Sequence, residues 1–225
     1  MPIRLDGRLT AVAAQSAGRT VCDIGSDHGK LACRLVQTGA AERAIATDIS
    51  APSLAKAKRL AEELGIADLV DTRIGDGLEP IAAGEADTVV IAGMGGDLIA
   101  DILRRGAEQG KTFGRLVLSP NTRAERVRDL LAKTGYTITY DAAVECAGKR
   151  YAVITAVLGE GEKLDGMQKA FGKFFRTDAE FAAAARAELE SLTETLRRNP
   201  DAANLAKRAE LLSSALAEMR TDKEI

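Results

Sequence analysis

The chain has 225 residues, of which 46% are hydrophobic and 28% charged, with a formal net charge of −2 and a sequence pI near 5.7. This length allows one well-buried domain plus an appendage, and the acidic pI argues against a protein that coats nucleic acid through a general basic field. No apolar run reaches the roughly 18 residues of a membrane span, and the N-terminus lacks the hydrophobic stretch of a signal peptide. We therefore expect a cytoplasmic protein with no membrane partner.

Strand and helix patterns alternate along the first two thirds of the chain. Helical periodicity predicts a first helix over about residues 5–17, expected to lie across the mouth of a sheet. Strands are then predicted at residues 20–25, 44–48, 70–74, 87–92 and 116–118, followed by two more at 136–144 and 151–158 that flank the polar segment 145–150 and form an antiparallel pair. The fold class is therefore α/β, with a Rossmann-like, doubly wound sheet of seven strands.

The composition changes near the end of this region, so we predict one domain over residues 1–160 and an extension over 161–225. Two apolar stripes at helical spacing predict a C-terminal antiparallel helical hairpin, coiled-coil-like in its packing. Asn199 and Pro200 are predicted to be the cap and first-turn proline of the second helix. The hairpin is either a packing or dimerisation element or an arm that orients a large substrate.

Cysteine usage gives no sign of a metal site. Cys22, Cys33 and Cys146 are odd in number, lack CxxC spacing and lie in apolar runs. Free buried thiols are the favoured interpretation.

Three predicted strands end in aspartates, and together these predict a nucleotide site. Asp23 precedes a small-residue turn, Asp48 ends the second strand, and Asp76 follows the third. In doubly wound sheets ligands bind at these strand ends. We expect Asp48 to accept hydrogen bonds from ribose hydroxyls and Asp76 to accept one from an adenine amino group.

An adenosine is common to NAD and S-adenosylmethionine, so the turn after the first strand has to discriminate between them. A dinucleotide fold needs G-x-G-x-x-G, whereas here Asp27 replaces the middle glycine. A carboxylate repels a pyrophosphate but attracts a sulfonium and an ammonium. The turn therefore favours the methyl donor.

The motifs themselves resemble the TrmK family of bacterial tRNA (adenine-N1) methyltransferases. They are Asp23-Ile24-Gly25-Ser26-Asp27-His28, Gly75-Asp76-Gly77-Leu78, Ile91-Ala92-Gly93-Met94-Gly95-Gly96 and Ser119-Pro120-Asn121, with Leu5-Asp6-Gly7-Arg8-Leu9 before them. The resemblance implies a class I S-adenosylmethionine-dependent fold, S-adenosyl-L-methionine as cofactor, no metal, and methylation of N1 of the adenine at tRNA position 22. The fourth strand lacks the Asn/Asp-Pro-Pro-aromatic motif of many enzymes that methylate exocyclic amines.

Three residues are the candidates for catalysis. Adenine N1 attacks as a neutral nucleophile, so positioning and anionic stabilisation suffice without a strong base. Asp27 would favour the developing purinium or only hold the cofactor, Met94 would pack on the base or fill the core, and Asn121 would hydrogen-bond the base edge or only form a turn. His28 is favoured as a helix-start residue rather than a base.

The other candidates divide by ligand. The candidates for cofactor binding are Asp23, Gly25, Ser26, Asp27, His28, Asp48, Ile49, Asp76, Gly77, Ala92 and Gly93, and those for tRNA binding are Arg4, Arg8, Gly95, Lys149 and Arg150. The remaining basic groups, Arg104-Arg105 and Arg123, Arg126 and Arg128, are favoured as solvated faces, and no DNA partner is expected. Two other functions stay open: a methyltransferase for a small molecule or protein, and a non-catalytic nucleotide-binding module.

Overall fold

The computed structural model describes residues 3–221 and their side chains as far as residue 219. It divides into two compact units, one ending at Lys163 and the other beginning at Leu164. Within the described range no helix is both long and apolar enough to cross a membrane.

The first unit is a seven-stranded sheet with helices, as the strand pattern predicted. Its elements in chain order are α1 (Gly7–Gln15), β1 (Gly18–Ile24), α2 (Lys30–Gln37), β2 (Ala41–Asp48), α3 (Ala51–Glu63), β3 (Val70–Ile74), β4 (Thr88–Ala92), α4 (Gly96–Glu108), β5 (Arg115–Ser119), α5 (Ala124–Lys133), β6 (Tyr136–Cys146) and β7 (Lys149–Leu158). The strand order is β3-β2-β1-β4-β5-β7-β6. β7 is antiparallel to both of its neighbours, and the other pairs are parallel.

Helix α1 packs on a face of the sheet rather than across its mouth, so that prediction was wrong. Val12 is fully buried in a cluster with Val21 of β1, Val90 of β4 and Val117 of β5. The apolar stripe of α1 therefore packs against a face of the sheet. Complete burial of a valine side chain contributes about 1.5–3 kcal/mol to the stability of the fold. The first turn, with Arg8, is the part of α1 that reaches the carboxyl ends of the strands.

The β6–β7 hairpin is longer than predicted. Residues 145–150 were expected to form a loop, but the strands continue to Cys146 and Lys149. The turn is Ala147-Gly148, with φ of 51° and 72°. Positive φ at both residues is the signature of the tight type I′ turn, whose twist matches that of the strands. A polar sequence therefore forms an exposed two-stranded ribbon.

The second unit is helical and has its own core. It contains α6 (Gly166–Phe171), α7 (Ala179–Arg198) and α8 (Ala203–Thr221), and the last two form the predicted hairpin. The core joins Phe175, Ala185 and Leu212, among others. The short helix α6 was not predicted, although Asp165 and Gln168 form a capping box at its start.

The predicted cap of the second hairpin helix was wrong. Asn199 follows the last residue of α7, and α8 begins only at Ala203. The intervening turn is closed by backbone hydrogen bonds from Ala202 to Asn199 and from Ala203 to Asp201. Because α7 runs to Arg198, Asn199 and Pro200 belong to the connection and not to the first turn of α8.

Arg128 is buried, not part of a solvated face as predicted. Its guanidinium donates two hydrogen bonds of 2.8 Å to the carboxylate of Asp141 in β6. Both side chains are at most 5% exposed. Removing one partner of such a pair leaves an uncompensated buried charge.

We expect Arg128→Leu to lower the free energy of unfolding by about 3–5 kcal/mol, because Asp141 is then buried without its cation. The matched control is Lys133→Ala, which breaks the pair between the exposed Lys133 ammonium and Asp129 in the same helix and should cost less than about 0.5 kcal/mol. Urea titrations followed by circular dichroism measure both. Equal losses in the two variants would contradict the role of the buried pair.

Candidate functional site

The candidate site lies where the order of the strands reverses. β1 is flanked by β2 on one side and by β4 on the other, so the connections leave it in opposite directions. A crevice forms at such a point outside the carboxyl ends of the strands. Here it is a cleft of about 380 Å³, lined by Asp23, Gly25 and Asp27 at the end of β1 and in the turn after it, and by Ala92 and Gly93 at the end of β4, among others. Its volume is that of a small-molecule site.

A larger groove of about 590 Å³ exists within the second unit. Its lining is mainly one side of α7, including Arg186, Glu190, Glu194 and Arg197. These side chains belong to an exposed helix surface, whereas the cleft of the first unit combines glycine loops with converging carboxylates. The cleft at the strand ends is therefore the candidate functional site.

Two glycines allow the loops of the cleft to approach each other. Gly25 has a φ of +69°, and a Cβ on it would lie 2.2 Å from Cε of Met94. Gly93 has a φ of +88°, and a Cβ there would lie 3.4 Å from a guanidinium nitrogen of Arg8. Met94, a candidate for packing on the substrate base, thus lies against the turn that follows β1.

Asp23 places a carboxyl group in the interior of the cleft. The residue is 4% exposed, and burial raises the pKa of its carboxyl to about 6. The negative charge of Asp48 raises this pKa further. An ionised Asp23 is therefore stabilised by any cation that enters the cleft.

Asp48 ties the loop after β1 to the end of β2. One of its carboxylate oxygens accepts a hydrogen bond of 3.0 Å from the backbone N–H of Asp27, and the other accepts one of 2.8 Å from the N–H of Ser50. The sequence predicted that Asp48 accepts hydrogen bonds from a ribose, but it did not indicate this structural contact. The next residue, Ile49, is 74% exposed and presents an apolar side chain beside the carboxylate.

Asp27 contacts the α3 side of the cleft. Its φ is +52°, and its Oδ1 accepts a hydrogen bond of 3.4 Å from the hydroxyl of Ser53. His28 Nε2 lies 3.4 Å from the same oxygen and 3.0 Å from the ammonium of Lys56. Because that ammonium can only donate, Nε2 of His28 is the acceptor in this contact. Sequence reasoning missed both Ser53 and Lys56, which belong to a different element.

Asp76, the candidate for adenine, is held by an arginine from α4. Arg105 donates a hydrogen bond of 2.8 Å to Oδ2 of Asp76. This contact lowers the pKa of the Asp76 carboxyl from its ordinary value. Arg105 was predicted to lie on a solvated face, and that prediction was wrong because its guanidinium reaches across to the loop that follows β3. Gly77, next in that loop, is buried against Ile102 of the same helix.

Asn121 is fixed by two hydrogen bonds. Arg8 donates to its side-chain oxygen at 2.6 Å, and its amide nitrogen donates to the backbone oxygen of Gly93 at 2.6 Å. The guanidinium can only donate, so the orientation of the amide follows from its partner. The guanidinium of Arg8 also lies 5.0 Å from the ring centre of Tyr151. The side-chain amide of Asn121, in the loop after β5, thus connects α1 with the loop after β4.

The candidates for tRNA binding differ in their exposure. Arg4 is exposed, and Lys149 and Arg150 are exposed at the start of β7, one and two residues before Tyr151. Gly95 is the N-cap of α4 and half-buried. Arg8 is half-buried and contacts Asn121 and Tyr151. An arginine that only binds phosphates would not need these two contacts.

The three cysteines, all within the described residues, form no disulfide with one another. Cys22 and Cys33 are buried free thiols, and Cys146 is free and half-buried. Within residues 3–221 no group of three or more histidine, cysteine, aspartate or glutamate side chains could hold a metal ion.

Comparisons with known proteins agree on one family. A family model described as a methyltransferase domain matches residues 5–154. The tRNA (adenine(22)-N(1))-methyltransferase of Bacillus subtilis is 40% identical over 172 residues, covering 76% of this chain and 72% of its own. The crystal structure of the B. subtilis m1A22 tRNA methyltransferase TrmK superposes with a TM-score of 0.80 at 34% identity, covering 95% of this chain and 99% of the other. Sp1610 of Streptococcus pneumoniae, in complex with S-adenosyl-L-methionine, gives 0.83 at 29% identity, covering 95% and 100%.

The buried carboxyl of Asp23 predicts a pH-dependent stability. Its raised pKa means that the folded protein keeps this proton up to about pH 6, whereas the unfolded chain loses it near pH 4. The stabilisation is therefore complete below about pH 4 and is lost as the pH rises towards 6. Relative to Asp23→Asn, which has no proton to lose, we expect the wild-type protein to lose about 2–3 kcal/mol between pH 4 and 7.

Urea titrations of both proteins at pH 4, 5, 6 and 7 measure this difference. Groups other than Asp23 contribute equally to both proteins and cancel in the comparison. A difference that stays constant over this range would show that Asp23 titrates normally.

Proposed function

The chain belongs to the TrmK family of tRNA (adenine-N1) methyltransferases, and we propose that it transfers a methyl group from S-adenosyl-L-methionine to N1 of the adenine at position 22 of tRNA. The observation that carries this proposal is a cleft with two chemically distinct sides. One side is lined by the carboxylates of Asp23 and Asp27, with Asp48 hydrogen-bonded to the backbone of Asp27, and the other by Arg8 and Gly93, which Asn121 joins. A cationic cofactor suits the first side and a flat base suits the second.

The residues of the first side fit the cofactor. The backbone at Gly25 and Gly93 lines the cleft without side chains, and buried Asp23 offers a charge to a cation. Exposed Ile49 can cover the face of an adenine, and Asp48 retains acceptor capacity for ribose hydroxyls. When bound, S-adenosyl-L-methionine supplies a methyl carbon on a sulfonium. Ser26, His28, Gly77 and Ala92 complete the proposed cofactor side.

The second side would position the acceptor base. Adenine N1 forms the new bond with its own lone pair while the carbon–sulfur bond breaks, so no residue has to remove a proton. The positive charge then moves to the purine. Asn121 keeps one lone pair and one N–H beyond its two hydrogen bonds, and these can orient the edge of the base. Met94 would pack between this base and the turn at Gly25.

The surroundings of Asp27 bear on its two predicted roles, which are to hold the cofactor and to favour the developing purinium. Its contacts with Ser53 and His28 support a role on the cofactor side. Its carboxylate is 72% exposed and thus accessible to a developing positive charge. We propose that it favours charge transfer to the purine from the cofactor side, since its contacts are with Asp48, Ser53 and His28.

A basic rim would engage the phosphates of tRNA. Lys149 and Arg150 lie exposed on the β6–β7 ribbon close to Tyr151, and Arg4 precedes α1. In the second unit, by contrast, Arg208 is paired with Glu188 and Arg197 with Glu194. Folded tRNA is recognised largely through shape and phosphates, so we assign the electrostatic contribution to the rim of the first unit.

The proposed activity predicts methylation at one nucleotide. Incubation with labelled methyl donor and bulk bacterial tRNA should label tRNA, and primer-extension mapping should place an N1-methyladenine at position 22. A transcript with guanine at position 22 is the matched control and should stay unlabelled. Label on a protein or small molecule but not on tRNA would contradict the proposal, and label elsewhere in tRNA would contradict the position.

Two variants should distinguish positioning of the acceptor base, which affects kcat, from phosphate binding, which affects the Kd for tRNA. We expect Asn121→Ala to lower kcat by about 10²-fold, a loss comparable with that of one preorganised polar group, because the amide that joins Arg8 to Gly93 is gone. Lys149→Ala should instead raise the Kd for tRNA and reduce the salt slope by about 1, with kcat unchanged. Single-turnover rates and binding at several salt concentrations measure these effects. An unchanged kcat in Asn121→Ala would remove Asn121 from the site.

A further inference from the structure

The loop that carries Asp76 is held by α4 at several points. Arg105 donates to Asp76, and the ammonium of Lys111 donates to the backbone oxygens of Leu78 and Glu79 at 2.8 and 3.2 Å. A Cβ on Gly106 would lie 2.6 Å from Leu78, so helix and loop are in close contact. The loop therefore has a fixed position relative to the C-terminal half of α4.

Within this fixed loop, one oxygen of Asp76 is left for a ligand. Oδ2 accepts the hydrogen bond from Arg105 at 2.8 Å, while Oδ1 has no hydrogen bond among the described residues. Half of the Asp76 side chain is exposed, and Arg105 is 30% exposed. An aspartate on an exposed loop normally samples several rotamers, and a guanidinium bound to one oxygen restricts them.

A second set of charges fixes Arg105 itself. Asp101, one turn earlier in α4, lies 3.2 Å from Nε of Arg105, and Glu79 lies 3.9 Å from Nη1. The guanidinium thus has carboxylates at both of its edges, from its own helix as an ion pair without a hydrogen bond and from the loop as a hydrogen bond to Asp76. The hydrogen bond from Arg105 lowers the pKa of Asp76 and so favours its ionised form, which is the state that accepts a hydrogen bond from an amine.

We propose that Arg105 is a positioning residue that sets the selectivity of the cofactor site for adenine, by aiming Oδ1 of Asp76 at the exocyclic amino group. This inference rests on the proposed function, since it assumes that the adenosine of the cofactor binds beside Asp76. Arg105 does not touch the ligand in this arrangement. It acts through the carboxylate that it orients.

The neighbouring arginine provides a matched control. Arg104 lies on the same helix, and its guanidinium pairs with Asp101 and Glu108. Neither carboxylate belongs to the loop of Asp76. Arg104 pairs with Oδ1 of Asp101 and Arg105 with Oδ2, so replacing Arg104 by glutamine removes the same charge from the same helix and leaves the contacts of Arg105 with Asp101 and Asp76 in place.

The test compares two ligands by isothermal titration calorimetry. One is S-adenosylhomocysteine, and the other is its purine analogue, in which hydrogen replaces the adenine amino group. We expect wild-type protein to bind the first about tenfold more tightly, because a hydrogen bond to a charged group is lost in the second. Arg105→Gln should weaken binding of S-adenosylhomocysteine about tenfold and that of the analogue less than about twofold. Arg104→Gln should leave both affinities unchanged, and Arg105→Lys should recover part of the loss.

Each other outcome has a definite meaning. Equal weakening of both ligands in Arg105→Gln would show a general structural role and overturn the proposal, as would a variant that binds both normally. Equal binding of both ligands by the wild-type protein would show that Asp76 does not recognise the amino group. A wild-type protein that binds neither ligand would overturn the proposed function itself.

Discussion

The functional cleft depends on one close approach, between the turn that follows β1 and the loop that follows β4. The two strands are neighbours, so their carboxyl ends emerge side by side. Gly25 has positive φ and lies under Met94, and any Cβ there would overlap the methionine. The loop after β5 then closes the arrangement, because the N–H of Asn121 donates to the backbone oxygen of Met94. Three loops are thereby fixed relative to one another before any ligand binds.

The proposed site separates charge. On its cofactor side, buried Asp23 and the carboxylate of Asp48 at the ends of β1 and β2 offer negative charge to a cation. On the rim, Lys149 and Arg150 are exposed and face solvent. A chain with net charge −2 can thus bind a cationic cofactor and still present a local basic surface to phosphates. The net charge of the whole chain does not reveal the acidic cofactor side or the basic rim.

Helix α4 connects the two halves of the proposed site. It begins at Gly96, directly after the loop of Gly93 and Met94, and near its other end Arg105 holds Asp76. At its first turn Asp97 pairs with Arg123 and Arg126, which belong to the segment after β5. The acceptor loop and the adenine loop are therefore attached to the same rigid element. A methyltransferase has to hold two substrates in one geometry, and a shared helix supplies that constraint.

The sequence by itself determined the sheet and predicted which loops line the cleft. Strand periodicity is local, and the motifs at Asp23, Asp48, Asp76 and Gly93 fall at strand ends, so their convergence follows from the topology of a doubly wound fold. The site assignments themselves remain predictions. The family resemblance carried by the same motifs agrees with the comparisons.

Only the tertiary structure decided which side chains hold these motifs in place. Arg8 and Asn121 are 113 residues apart, and Arg105 and Asp76 are 29 apart, so no local pattern joins them. The same reason explains the burial of Arg128, which depends on Asp141 in another element. Helical and strand patterns arise from interactions within a few residues, whereas an arginine is solvated, structural or functional according to the carboxylate or amide that the fold brings to it.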